Sequence, residues 1–203
     1  ESMVQLFIDG GGFMWPILFI FIIGFVFVGE RLYHLVKGLA SDEEFAINVA
    51  NTYQNSGLKE AQNLCESSVG PVANLCANAL EKADQGVEAA EKALDQSGSI
   101  EMASLEKNMT WISLCIATAP MLGFLGTVWG MIQAFNDIKM ANDISPAVVA
   151  GGISVALLTT AFGLVVAVIL QILQNAVMYI IDNQIVTLQK STTLLLDSIG
   201  KKK

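Results

Sequence analysis

Two long stretches of this chain, Asn108–Asn136 and Ile144–Ile181, contain no Asp, Glu, Lys, Arg or His, and Gly10–Gly29 is equally free of charge. Charged residues make up 15% of the 203 residues, against about 25% in an ordinary soluble domain. The shortfall is confined to these three segments, which excludes a merely greasy globule and favours a membrane protein. Histidine occurs once, as His34, among charged residues just past the first stretch, where it reads as an interfacial or solvated side chain. Cysteine occurs three times, as Cys65, Cys76 and Cys115; the number is odd and the spacings fit no zinc pattern. All three are expected to be reduced, two in a cytosolic region and Cys115 in an apolar setting that gives no nucleophile. No basic surplus exists either. The net charge of -8 comes mostly from the block between Glu30 and Glu106, and phosphate binding needs a basic footprint, so nucleic acid is excluded as a partner.

What is present is length. A bilayer core takes ~20 apolar residues of helix, and each charge-free stretch supplies that many. Arg31 and Lys37 follow the first stretch and no Lys or Arg precedes it, so the positive-inside rule puts the N-terminus outside and residue 31 onward in the cytoplasm. Trp15 and Tyr33 suit the two interfaces. The expected architecture is an all-α membrane protein with three transmembrane helices, N-out and C-in. Its segments are an outer N-terminus (1–12), a first span (13–36), a cytoplasmic helical region (37–107), a second span (108–136), an outer loop (137–146), a third span (147–175) and a cytoplasmic helical tail (176–203). The uncharged part of the third helix alone would extend about 57 Å at 1.5 Å per residue, against a hydrocarbon thickness of about 30 Å. Ile181, Ile185, Leu188, Leu195 and Ile199 carry a helical apolar stripe beyond it, so the helix is expected to continue into the cytoplasm and bundle there.

Between residues 38 and 107 the pattern predicts four short helices. Ser41-Asp42-Glu43-Glu44 is a capping-box pattern, followed by Phe45, Val49 and Tyr53 on one helical face. Gly57, Gly70-Pro71, Gly86 and Ser97-Gly98-Ser99 read as breaks. A longer helix is expected from about Ile100, running into the second span.

The spans are not plain apolar runs. In the second, Ala119, Gly123, Gly126 or Thr127, Gly130 and Ala134 recur every three or four residues; in the third, Gly152, Ala156, Thr160, Gly163 and Ala167 do the same. Faces this small let helix backbones approach closely. Two readings stay open on spacing alone: the faces only pack helices, or Thr127, Thr159 and Thr160 line a polar path. A hydroxyl bonds water or a carboxylate but does not titrate near neutral pH. If protons cross here, the titrating group must come from another chain, since the spans hold no carboxylate, and a mid-membrane Asp needs a hydrogen-bonded shelter. Pro120 is expected to kink the second span and free backbone carbonyls near the same place. No paired acid and base, no phosphate-loop ending and no metal-ligand pattern is visible, so no enzyme and no cofactor is expected.

In these same residues, Pro120–Met131 and Gly152–Gly163, the sequence resembles the MotA/TolQ/ExbB proton-channel family, most closely its ExbB/TolQ branch. The resemblance implies a proton-channel subunit of an energy-transducing motor in the Gram-negative inner membrane, which makes segments 1–12 and 137–146 periplasmic. It implies a homo-oligomer, a pentamer, around the helices of an ExbD/TolR-like single-span partner whose membrane Asp takes up protons. It also implies a driven protein of the TonB or TolA kind, with TonB-dependent transport the first reading and a TolQ-like role in envelope maintenance the second. The family's pore threonines map onto Thr127 and Thr160. Many relatives carry Glu in the third-span motif where this chain has Val155, which loads more of the mechanism onto the partner's carboxylate. A passive helix scaffold remains the competing reading from a different class.

Overall fold

The computed structural model describes residues 2–37, 43–142 and 144–202. In chain order the helices are α1 (Met3–Asp9), α2 (Met14–Lys37), α3 (Glu43–Ser56), α4 (Leu58–Glu66), α5 (Pro71–Glu81), α6 (Val87–Leu105), α7 (Met109–Ala141) and α8 (Pro146–Lys201), with a 3-10 turn at Ala83–Gln85. Among the described residues no strand occurs. Three helices are long and apolar enough to cross a membrane: α2, α7 and α8. The chain divides into two compact units, residues up to Gly29 with Asn108–Ala176, and Glu30–Lys107 with residues from Val177 onward.

The first unit contains the charge-free stretches. Lipid tails are as apolar as Leu, so helices gain little by hiding grease from them and associate through close packing instead. Ile17 of α2, Cys115 and Ala119 of α7, and Val166 and Leu170 of α8 form the buried centre. Gly24 makes this possible on α2: a Cβ there would lie 2.7 Å from Leu170 Cδ1. α1 opens with the Ser2 hydroxyl accepting the Gln5 N–H at 3.2 Å. It docks through Phe7, whose ring meets Trp15 and Phe162 edge-on, at 5.1 and 5.7 Å between centroids.

In the second unit α5 is the most deeply buried of the short helices, with Val72, Ala73, Leu75, Cys76, Ala79 and Leu80 all sealed. The helices break where glycine lets the backbone turn: Gly70 takes φ +139 and Gly86 φ +108, conformations that an L side chain rarely adopts. Pro71 then opens α5 at the position where its missing N–H costs nothing. Cys65 and Cys76 are free and buried, as is Cys115 in the first unit. The Cys76 thiol hydrogen-bonds Cys65, which lowers the Cys65 thiol below its ordinary range and raises that of Cys76. The end of α8 carries the expected stripe: Ile181, Leu188, Leu195 and Ile199 are buried. It is tied to α3 by Ser198 Oγ donating to the Ala50 carbonyl at 3.2 Å and by Lys202 over the Tyr53 ring at 4.4 Å.

One expectation lies outside the described residues, and two change. The proposed capping box begins on Ser41 and Asp42, which lie outside the described residues. The connection between the second and third long helices, read as loop from residue 137, is helical to Ala141, and α8 begins at Pro146. No helix starts near Ile100 and runs into the second span. α6 begins at Val87, passes straight through Ser97-Gly98-Ser99 and ends at Leu105. Ser97 stays helical and buried because its hydroxyl accepts from Asn78 Nδ2 at 2.9 Å, and Gly98 lies against Leu75.

The end of α6 has a cause far away in sequence. Arg31, only 1% exposed, donates from Nη1 to the carbonyls of Ser104 and Leu105 at 2.8 and 3.1 Å. Its Nε and Nη2 hold the Glu30 carboxylate at 2.7 and 2.6 Å. A cation on the last carbonyls completes a helix C-terminus and suits its dipole. Asn108 then turns in the left-handed region, φ 67, and α7 starts afresh. Arg31→Met removes the guanidinium from two carbonyls and a carboxylate at once. It is expected to cost about 3 kcal/mol, read as a lowered thermal midpoint of the detergent-solubilised protein, with Arg31→Lys recovering only part because an ammonium lacks the planar fork.

Candidate functional site

The spacing of glycine and alanine on α7 and α8 acts through backbone contact. A Cβ on Gly123 would lie 2.8 Å from the Thr159 carbonyl oxygen and 3.2 Å from Thr160 Cα. One on Gly163 would lie 2.6 Å from the Ala119 oxygen and 3.2 Å from Gly123 Cα. A Cβ on Gly126 would lie 2.7 Å from the Thr159 hydroxyl oxygen, one on Gly130 would lie 3.2 Å from Ala156 Cβ, and one on Gly152 would run into Ala134 Cβ. Gly123, Gly126, Gly130, Gly152, Ala156 and Gly163 are thus brought together along one helix–helix seam. α7 continues through Pro120, whose ring leaves the Ile116 carbonyl without its helical donor.

This seam sets the register that joins three threonines from two helices. Thr127 Oγ1 is placed to donate to the Ala156 carbonyl at 2.9 Å and to the carbonyl of Gly123, one turn back, at 3.2 Å. Thr159 Oγ1 reaches the same two oxygens at 2.8 and 3.2 Å. Thr160 Oγ1 reaches the Gly123 oxygen at 3.4 Å, and the hydroxyls of Thr127 and Thr160 hydrogen-bond each other. Three hydroxyls carry three protons, fewer than the contacts available to them, and each keeps acceptor lone pairs. The protons can therefore be re-aimed. The cluster can accept from a protonated acid or a water, and can donate to a carboxylate, without itself gaining or losing charge. The three are not equivalent: Thr159 is 1% exposed, while Thr127 and Thr160 are half-buried and open to a guest.

Val155 belongs to the same unit and reaches the cluster only through Thr159. It lines a cavity of about 500 Å³ with Gly11, Pro16, Trp129, Gln133 and Thr159. A Cβ on Gly11 would sit 3.5 Å from its Cγ1. The cavity has no ionisable lining residue. Among the described residues no group of His, Cys, Asp and Glu side chains could hold a metal. Arg31 is the residue whose weight sequence reasoning missed; it read only as an inside-positive charge. Its signal was a charge two residues past the span's uncharged run, too close to the membrane to be left without partners.

Fold and site together define a helical, multi-pass membrane protein in which the charge-free stretches of α7 and α8 are joined by small residues and threonine hydroxyls. The chain belongs to the MotA/TolQ/ExbB proton channel family, whose sequence profile matches residues 67–190. It is similar to an ExbB biopolymer transport homologue of Methanothermobacter thermautotrophicus, 30% identical over 185 residues that cover 91% of this chain and 66% of that protein. It is also similar to the biopolymer transport protein ExbB of Xanthomonas campestris pv. campestris, 41% identical over 78 residues, 38% of this chain and 31% of that one. The Tol-Pal system protein TolQ of Haemophilus influenzae is 34% identical over 77 residues, 38% of this chain and 34% of that one. The chain thus spans less than two thirds of the length of the relatives it matches.

Proposed function

We propose that this chain is the proton-conducting subunit of an inner-membrane motor, ExbB-like, which couples proton-motive force to TonB-dependent transport across the outer membrane. One observation carries the reading: Thr127 and Thr160 form a re-aimable, half-exposed hydroxyl pair inside a stretch without any carboxylate. Such a pair serves a proton carrier but cannot be one. The carrier is the membrane Asp of an ExbD/TolR-like single-span partner, held inside a ring of copies of this chain, a pentamer. With the Asp ionised, the hydroxyls donate to it; with the Asp protonated, they accept from it, and the neutral acid moves past at low cost. Each cycle shifts the partner, and through it a TonB-like protein. The N-terminus faces the periplasm and the long end of α8 the cytoplasm, in keeping with the Lys and Arg distribution. The ExbB names among the relatives favour TonB-type coupling over a TolQ-like role.

The test is co-reconstitution in liposomes under an imposed pH gradient. The chain alone is expected to leave proton flux at the background of empty vesicles, and the chain with its partner to raise it. The partner's Asp→Asn variant should return flux to background. Equal flux with and without the partner contradicts the reading.

A further inference from the structure

At the polar end of α2 the second unit holds a pocket of about 350 Å³ that the proton-channel reading does not use. Its charged lining is of both signs. His34 and Lys37 come from α2 and Glu101 from α6. Glu101 accepts a hydrogen bond from Asn74 Nδ2 of α5 at 3.3 Å and interacts electrostatically with His34. Lys37 Nζ stands 5.0 Å above the Tyr33 ring. A simple anion would meet the Glu101 carboxylate, and a simple cation would meet Lys37. A zwitterion satisfies both.

The rim points to the rest of the ligand. Val69 and Ile100 line the same pocket and are 84% and 68% exposed. Tyr33 and Val36 on the neighbouring faces of α2 are each 65% exposed. Charged groups of both signs set beside exposed apolar side chains match an amphiphile rather than a water-soluble metabolite. The depth also fits. Charge-free sequence in α2 ends at Gly29, and at 1.5 Å per residue His34 and Lys37 lie about 7 and 12 Å further along the helix. Headgroup layers add roughly 5–8 Å on each side of the hydrocarbon core. His34 falls within that layer, and Lys37 just beyond it can reach back with its long stem.

We propose that this pocket holds the headgroup of a primary-amine phospholipid of the phosphatidylethanolamine type, its phosphate toward Lys37 and His34 and its ammonium toward Glu101. A primary ammonium donates hydrogen bonds to the carboxylate; the quaternary ammonium of phosphatidylcholine has no proton to give. A phosphatidylglycerol headgroup brings a net negative charge and offers Glu101 only neutral hydroxyls, without the charge assistance of an ammonium.

The experiment is native mass spectrometry of the full-length protein in mild detergent, delipidated and then offered phosphatidylethanolamine, phosphatidylcholine, phosphatidylglycerol or soluble glycerophosphoethanolamine. The intact chain is expected to retain phosphatidylethanolamine about tenfold over phosphatidylcholine, as one charge-assisted hydrogen bond would give. Glu101→Gln should level those two lipids, and Lys37→Gln should weaken both. Equal retention of phosphatidylcholine or phosphatidylglycerol by the unaltered chain overturns the proposal, as does an undiminished preference in Glu101→Gln. Displacement of the lipid by equimolar glycerophosphoethanolamine overturns it in favour of a soluble ligand. Should Glu101→Gln fail to fold by circular dichroism, Ile100→Ser replaces it: severalfold weaker lipid retention supports the apolar lip, and unchanged retention refutes it.

Discussion

Gly163→Leu is expected to leave no folded protein, and Gly163→Ala to lower thermal stability measurably. Alanine is the better helix former by about 1 kcal/mol, so in a helix free of neighbours the change would stabilise. At Gly163 the new Cβ would lie 2.6 Å from the Ala119 oxygen and 3.2 Å from Gly123 Cα. Both obstacles are backbone, and neither can rotate away. Overpacking of this sort costs about 1–3 kcal/mol for the smallest insertion, enough to outweigh the propensity gain. Leucine adds three more carbons to the same contact and forces α7 and α8 apart, which also separates Thr127 from Thr160. Gly29 supplies the control. It lies within α2 with nothing within 4 Å of a built Cβ, so Gly29→Ala should be neutral or slightly stabilising. Thermal midpoints followed by tryptophan fluorescence compare the three. Equal behaviour of Gly163→Ala and Gly29→Ala would mean that the seam is not closely packed.

The second large effect is on function without loss of fold. Thr160→Val and Thr127→Val keep the β-branched shape and delete one hydroxyl each. The carbonyls of Gly123 and Ala156 lie within helices and retain their backbone partners, so each change should cost no more than about 1 kcal/mol, close to the ~0.6 kcal/mol average for side-chain hydrogen bonds between membrane helices. Partner-dependent proton flux is another matter. Loss of a preorganised polar partner for a group that changes charge costs roughly a hundredfold in comparable settings, and that size of fall is expected in liposomes, with Thr→Ser restoring most of it. A passive scaffold behaves in the opposite way: both valine variants would be silent while Gly163→Leu still destroyed the assembly. The valine variants therefore separate the two readings.

Much of this molecule is legible along the chain because its causes are local. Uncharged runs mark the three long apolar helices, and Gly57, Gly70 and Gly86 each open a helix where the backbone turns. The stripe from Ile181 to Ile199 announces that α8 continues past the apolar stretch. What escaped had a distant cause. α6 ends at Leu105 because Arg31 caps it from α2, and nothing in residues 97–108 states that. Ser97-Gly98-Ser99 looks like a break until Asn78 and Leu75 supply partners for it. Thr127 and Thr160 are visible as hydroxyls, but their meeting depends on the sliding register of two helices. That register is fixed by where Gly123 and Gly163 allow backbones to touch. Spacing also could not separate Thr159 from its neighbour; burial does, since Thr159 is sealed in the seam.

The most direct measurement is a structure of the chain assembled with its single-span partner, read at one distance: from the hydroxyl oxygens of Thr127 and Thr160 to the partner's membrane carboxylate. The expected result is hydrogen-bond reach, about 2.6–3.2 Å or a single bridging water, in a central space that admits the guest helix. A sealed or lipid-filled centre, with both threonines turned toward acyl chains and the carboxylate elsewhere, would contradict the account.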